Sequence, residues 1–243
     1  MRLFGFNISI RIKIRRSDHE LPYSIETDLQ RKIMGSHSQY LEDLFIDNIF
    51  RGKVDGVYVD IGANDPSELN NTKRFYDRGW FGVNVEPDTM VFGKICQARP
   101  RDINLNLGIG KQASELTFHE LSPNTLSTFS KASALQSVKK DGATIVSETL
   151  VKVISLAELF KTTMPDTQVD FMSLDAEGFE FDILSSNNWE LYRPTAIIVE
   201  LNQDRDCKAL DLMKDQGYLL IYYNGINGIF VDSCSSAIRT YTQ

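Results

Sequence analysis

The chain has 243 residues, 42% hydrophobic and 24% charged, the balance of an ordinary globular protein with ample length to bury one large core. A net charge of −7 and a pI near 5.1 exclude a general nucleic-acid binder, which needs a basic surface for phosphates. Cys96, Cys207 and Cys234 have neither the number nor the spacing of a disulfide framework or a zinc site and suit a reducing cytoplasm. No apolar run approaches the ~20 residues of a membrane span, and the amino terminus lacks a signal peptide's apolar centre.

The charge is uneven. Arg2, Arg11, Lys13, Arg15 and Arg16 occupy the first sixteen positions with no acid among them. Ile8, Ile10, Ile12 and Ile14 alternate there with Ser9, Arg11, Lys13 and Arg15, a period of two that predicts a strand with one basic face. Residues 1–35 therefore read as a basic arm or small strand unit ahead of a main domain over 36–243. Residues 1–16 have two uses. One is an edge strand or ordered arm. The other, favoured by Leu3, Phe4 and Phe6, is a patch that touches an anionic membrane surface or glycolipid, making a cytoplasmic protein peripheral at the inner membrane face.

From residue 36 the pattern predicts a helix to about residue 50, with Ser38 able to cap it and Leu41, Leu44, Phe45 and Ile49 on one face. A strand follows at 57–61, a helix at 67–78 closed by Gly79, a strand at 81–85, and a helix from Pro87 to about 97. Residues 103–107 read as a strand and 115–119 as extended chain. Residues 120–150 break the pattern with a Ser/Thr-rich run and read as an insertion or lid. Regular alternation resumes with a strand at 150–154, a helix to about 162 opened by the capping box Ser155/Glu158, a strand at 169–174, a helix at 178–186 and a strand at 196–201. A last helix carries Cys207, Leu210 and Met213 on one face, and two strands joined at Asn224-Gly225-Ile226-Asn227-Gly228 close the chain as a hairpin. Alternating strands and helices of this kind predict an α/β fold: a doubly wound, mostly parallel sheet of seven strands with a terminal antiparallel hairpin.

In such sheets ligands bind beyond the carboxyl ends of the strands. The first strand ends at Asp60-Ile61-Gly62-Ala63-Asn64-Asp65-Pro66. A nicotinamide dinucleotide would require G-x-G-x-x-G, with glycines that let a pyrophosphate approach backbone. Only Gly62 is present, and Asp65 would set a carboxylate beside the phosphates. An acidic turn suits instead a ligand with a sulfonium and an ammonium group and no phosphate, which describes S-adenosylmethionine (SAM). Glu86, at the end of the next strand, is placed to accept hydrogen bonds from ribose hydroxyls.

Four blocks in this order resemble the FkbM-type methyltransferases: Ser38-Gln39-x-x-Glu42-Asp43, residues 59–66, Arg78-Gly79-Trp80-x-Gly82-Val83-Asn84-Val85-Glu86-Pro87, and Asp170-Phe171-Met172-Ser173-Leu174-Asp175-Ala176-Glu177-Gly178-x-Glu180. The resemblance covers about 36–202. It implies the class I, Rossmann-like methyltransferase fold, SAM as cofactor, and methylation of a hydroxyl on a sugar or glycosylated metabolite, as in surface polysaccharide or natural-product biosynthesis. It also implies that Asp60, Gly62, Ala63, Asn64, Glu86 and Pro87 line the SAM site, with Leu107 near the adenine and Ser38, Gln39 and Asp43 over the methionine end. Within 120–150 only Leu126-Ser127-Thr128 echoes the family.

Asp175 ends the strand at 169–174 and Glu177 follows two residues on. Methyl transfer to an alcohol needs in-line positioning and a base or metal to remove the proton. Asp175 and Glu177 are the candidate bases, crowded by Glu200, unless Asp175 serves only to anchor the SAM amino group. His119, whose ordinary pKa of about 6.5 suits proton removal, is a third candidate. Asp175, Glu200 and Asn202 offer three oxygens to Mg²⁺, in a spacing similar to the ligand set of catechol-type O-methyltransferases. The acceptor is a small molecule or glycan. The rival reading is a SAM-binding scaffold of a glycan-assembly complex without turnover, or a methyltransferase with a non-glycan acceptor.

Overall fold

A computed structural model describes residues 25–201 and 207–235. The strand-like run at 8–15, the basic patch at 1–16 and Asn202 lie outside the described residues. In chain order the elements are helix α1 (Ile25–Met34), α2 (Glu42–Ile49), strand β1 (Val57–Ile61), α3 (Lys73–Arg78), β2 (Phe81–Val85), α4 (Thr89–Ala98), β3 (Ile103–Leu105), β4 (Gly108–Gly110), β5 (Ser114–Ser122), α5 (Lys131–Lys140), β6 (Thr144–Ser155), α6 (Leu156–Thr163), β7 (Phe171–Leu174), α7 (Glu180–Ser185), β8 (Ala196–Glu200), α8 (Cys207–Asp215), β9 (Tyr218–Tyr223) and β10 (Asn227–Asp232). No helix among the described residues is long and apolar enough to cross a membrane.

The expected seven-stranded sheet is present, in the order β3-β2-β1-β7-β8-β10-β9. All neighbours are parallel except β10, which runs antiparallel between β8 and β9. β1 lies between β2 and β7, with Asp60 opposite Asn84 on one side and Ser173 on the other. Both faces are covered. Val59, Val83, Met172, Ile197 and Phe230 pack against α6, α7 and α8 on one face, and Tyr58, Phe171, Ile198 and Ile229 pack with Ile46, Phe75 and Trp80 on the other. A sheet buried on both faces explains why β1, β7 and β8 read as continuous apolar runs.

Three expected helices are shorter than their patterns. Residues 67–72 are not helical, because side chains take the amide hydrogens that a helix would use. Asp65 Oδ1 accepts from the amides of Ser67 and Glu68, and Asn70 Oδ1 accepts from those of Thr72 and Lys73. α2 begins only after Leu41, whose φ of 72° breaks the helix; Ser38 still caps it from outside, accepting the Asp43 amide hydrogen at 2.9 Å. α7 begins after Glu177 (φ 49°) and Gly178 (φ 99°), neither of which is helical. In α4 the cap is Asp88, which accepts the amide hydrogens of Met90 and Val91.

The largest departure lies between residues 103 and 155. The expected strand at 103–107 is divided: β3 stays in the main sheet, and β4 leaves it for a second sheet of order β4-β6-β5. Glycine leaves room at that exit, since a Cβ on Gly108 would stand 2.5 Å from the tip of the Phe129 ring and displace it. The strand expected at 150–154 is the end of β6, twelve residues long and antiparallel to β5 over 114–122. The segment read as an insertion is thus ordered: the end of β5, a 3₁₀ turn at Asn124–Leu126, α5 and most of β6. Ser155 caps α6 through the Glu158 amide.

Candidate active site

The carboxyl ends of β1, β2, β7 and β8 converge on one edge of the sheet. Gly62 turns the chain there with φ 75°, and its amide and that of Ala63 both donate to the Val85 carbonyl, at 3.0 and 3.2 Å. A Cβ on Gly62 would fall 1.8 Å from the Asp175 carbonyl oxygen, so only glycine lets the turns after β1 and β7 touch. Asn64, also left-handed at φ 47°, donates its amide to Glu86 Oε2 at 2.9 Å. Glu86 Oε1 accepts from the Asp88 amide at 2.8 Å. Burial pushes the Glu86 carboxyl up to about 7, against the pull of those two amides. Pro87 is half-buried, Asn106 donates to both the Glu86 and Pro87 carbonyls at 2.9 Å, and the half-buried Leu107 packs against the main core.

Beneath the turn lies a polar network. Asp60 is buried and accepts from Thr72 Oγ1 at 2.7 Å and Asn70 Nδ2 at 3.4 Å. Burial raises its carboxyl to about 6, opposed by Thr72, Arg99 and Asn70. Asn70 also donates to the carbonyls of Ala63 and Asp65 and accepts from Arg99, whose buried guanidinium binds the Pro66 carbonyl and the Tyr58 hydroxyl as well. Asp60 therefore organises the turn from below. Asn70 and Arg99 were not singled out in the sequence; their role depends on a network that includes contacts up to 41 residues apart, which no local pattern signals.

The segment before α2 reaches the same edge, since the Asn70 amide donates to the His37 carbonyl at 2.9 Å. Ser38 and Asp43 are fully buried and hold each other and the backbone: Asp43 accepts from the Ser36 hydroxyl and from the His37 amide. Gln39 is half-buried, with Nε2 3.4 Å from the Tyr40 hydroxyl. Glu42, part of the same block but without an assigned role in the sequence, is fully buried. It accepts from Asn224 and Asn227 in the β9–β10 turn at 2.9 and 2.7 Å, and burial raises its pKa.

Asp175 is exposed at the carboxyl end of β7, although protein atoms crowd it on its other sides. That enclosure pushes its carboxyl up to about 6; a hydrogen bond with Glu200 opposes the shift and the Glu42 charge adds to it. Single ligand oxygens of Asp175, Glu177 and Glu200 lie within 4.8 Å of one another. Glu180 faces inward and accepts the amide hydrogens of Ala176 and Gly178, so it shapes the turn, with burial raising its carboxyl to about 7.

His119 lies apart from this group, in the second sheet. It is buried, with Nδ1 2.7 Å from Glu148 Oε1 across the β5–β6 pair. It is joined to the turn at 175–179 through Thr128, whose backbone pairs with His119 and whose hydroxyl donates to the Glu177 carbonyl. Two surface cavities lie elsewhere. One of about 490 Å³ is lined by Leu44, Asp47, Arg51, Lys53 and Arg78, and one of about 300 Å³ by Phe160, Gln168 and Arg193. Neither contains a candidate residue.

Residues 60–220 match the family described as the Methyltransferase FkbM domain. No curated protein sequence matches the chain. Solved structures similar in outline include a TehB-like SAM-dependent methyltransferase from Corynebacterium glutamicum (10% identity, 86% of this chain and 95% of that one, TM-score 0.41). Others are precorrin-6y C5,15-methyltransferase from Geobacter metallireducens (12%, 78% and 86%, TM-score 0.42) and a human methyltransferase 10 domain containing protein (13%, 88% and 95%, TM-score 0.42).

Proposed function

The chain belongs to the FkbM family of SAM-dependent methyltransferases, and from that premise we propose that it methylates a hydroxyl of a sugar or glycosylated metabolite with Asp175 as the general base. The residues at the strand ends fit the cofactor chemically. The turns 62–72, 86–88 and 175–179 carry Asp65, Glu68, Glu86, Asp88, Asp175 and Glu177 and no lysine or arginine. Such a set accepts hydrogen bonds from hydroxyl and ammonium groups and repels phosphate. Gly62, Ala63, Asn64 and Glu86 would hold SAM, Glu86 at the ribose, with Asp60 fixing the turn from below. Bound SAM supplies an electrophilic methyl group.

The observation that carries the reading is the carboxyl pair Asp175–Glu200 at the ends of adjacent strands. A carboxylate at the ordinary value of about 3.9 is a feeble base. Raised to about 6, Asp175 remains mostly ionised at neutral pH and gains basicity. Asp175 would take the proton of the acceptor hydroxyl, freeing that oxygen as the nucleophile toward the methyl that bound SAM would supply, with S-adenosylhomocysteine as the leaving group. Glu200, carrying the proton of the hydrogen bond it shares with Asp175, would orient it.

A second reading is favoured by the 4.8 Å grouping of Asp175, Glu177 and Glu200: these oxygens would hold Mg²⁺, the hard oxygen-seeking cation, which would supply Lewis acidity toward the acceptor hydroxyl. One assay separates the readings. Mono- and oligosaccharides and glycosylated metabolites are incubated with SAM, with and without EDTA, and products are followed by mass spectrometry. A methylated sugar formed equally in EDTA supports the base. Loss in EDTA with recovery on Mg²⁺ supports the metal. S-adenosylhomocysteine (SAH) binding with no transfer to any acceptor would favour the scaffold.

A further inference from the structure

The strap between β5 and α5, residues 123–130, touches both turns of the proposed site. Asn124 Nδ2 donates to Asn64 Oδ1 at 2.9 Å, and Thr128 Oγ1 donates to the Glu177 carbonyl at 2.9 Å. The two residues it reaches are alike in one respect. Asn64 and Glu177 have φ of 47° and 49°, both left-handed; asparagine adopts that conformation readily, whereas at a glutamate it is uncommon and persists where surroundings enforce it.

Thr128 is fit to enforce it. It is 2% exposed, and its hydroxyl accepts the Ser130 amide hydrogen at 2.9 Å, which commits its single proton to the Glu177 carbonyl. Its backbone exchanges two hydrogen bonds with His119, at 2.9 and 3.1 Å, so the strap is fixed to the second sheet. Phe129 continues the anchorage, its ring 4.9 Å from Phe118 on β5 and 5.9 Å from Phe179 just beyond the catalytic turn. The His119–Glu148 pair stiffens the strand behind it.

We propose that Thr128 is a positioning residue for the Asp175–Glu177 turn, and that the strap couples this turn to the cofactor turn at Asn64. Cofactor binding at 62–65 thereby sets the geometry of the carboxylates at 175–177. The inference rests on the reading of 62–65 as the cofactor turn.

Hydrogen exchange followed by mass spectrometry tests it without a known acceptor, using SAH as the probe. In the unmodified chain, saturating SAH slows exchange in peptides spanning both 62–66 and 175–180. In Thr128→Val the slowing at 62–66 stays, and that at 175–180 shrinks at least about threefold. Thr128→Ser, which retains the hydroxyl, restores it. Asn124 is exposed, so Asn124→Ala spares folding and gives the same split even should the valine variant fail to fold. Equal slowing at 175–180 in Thr128→Val, or in Asn124→Ala, would overturn the coupling. No slowing at 62–66 in the unmodified chain would instead overturn the cofactor reading beneath it.

Discussion

The Arg99 guanidinium donates to Asn70 Oδ1 at 3.0 Å in a site where both side chains are buried. Through that bond the cation that ends α4 is tied to the turn after β1, since Asn70 Nδ2 holds the Ala63 and Asp65 carbonyls. Asn70→Ala strips partners from Arg99, Thr72 and these carbonyls together. Arg99 and Thr72 keep other partners, so the cost falls mainly on the two carbonyls, each worth about 1–3 kcal/mol when left bare, and about 3 kcal/mol is expected for the set. A Tm lowered by roughly 6–12 °C in calorimetry would agree for a domain of this size; an unchanged Tm would mean that water replaces these bonds.

Glu86 is the expected ribose reader. Glu86→Ala should weaken SAH binding by about 10- to 100-fold, the worth of hydrogen bonds to a charged group, with the circular dichroism spectrum kept. Glu86→Gln, which retains one acceptor oxygen, should lose less. Isothermal titration reads both, and an affinity unchanged in the alanine variant would remove Glu86 from the site.

Stability should fall as pH rises through the neutral range. Asp60, Glu86 and Glu180 titrate at about 6, 7 and 7, each raised mainly by burial, against about 4 in the unfolded chain. Between those values the folded state binds more protons than the unfolded one, so unfolding becomes easier with rising pH. The favourable contribution is complete below about pH 4 and lost above about pH 7. Asp47 works oppositely: the hydrogen bond from Arg78 holds it below its ordinary range, and its contribution disappears only in acid. Thermal melts from pH 5 to pH 8 should show a declining Tm. A Tm that rises across that interval contradicts the burial of these carboxyls.

Gly62→Ala places a methyl carbon where the Asp175 carbonyl oxygen stands, 1.8 Å away, and at a φ of 75°. Neither backbone strand can yield without breaking the β1–β7 register, so a loss of more than about 3 kcal/mol is expected from overpacking and strain together. Denaturant melts measure it.

Much of this was legible in the chain. β1, β2, β7 and β8 are short apolar runs ended by Asp60, Glu86, Asp175 and Glu200, and burial on both faces makes such runs conspicuous. The Asn224–Gly228 turn announced the β9–β10 pair. Only the end of β6 was legible, because the nine residues from Thr144 to Lys152 are at least partly exposed and carry no core pattern. Its partner β5 lies across a 21-residue gap. The helix starts were missed where Asp65, Asn70 and Asp43 hold amides in turns. Glu42 and Arg99 escaped because their environment is made by distant segments.

The most direct test of the account is methyl transfer by Asp175→Asn. With any acceptor that the unmodified enzyme methylates, kcat should fall by about 10²- to 10⁴-fold, the range of a lost general base, while SAH affinity by calorimetry stays within a few-fold. Transfer at the unmodified rate, with SAH still bound, would contradict the role given to Asp175 and shift the chemistry to another group at the strand ends.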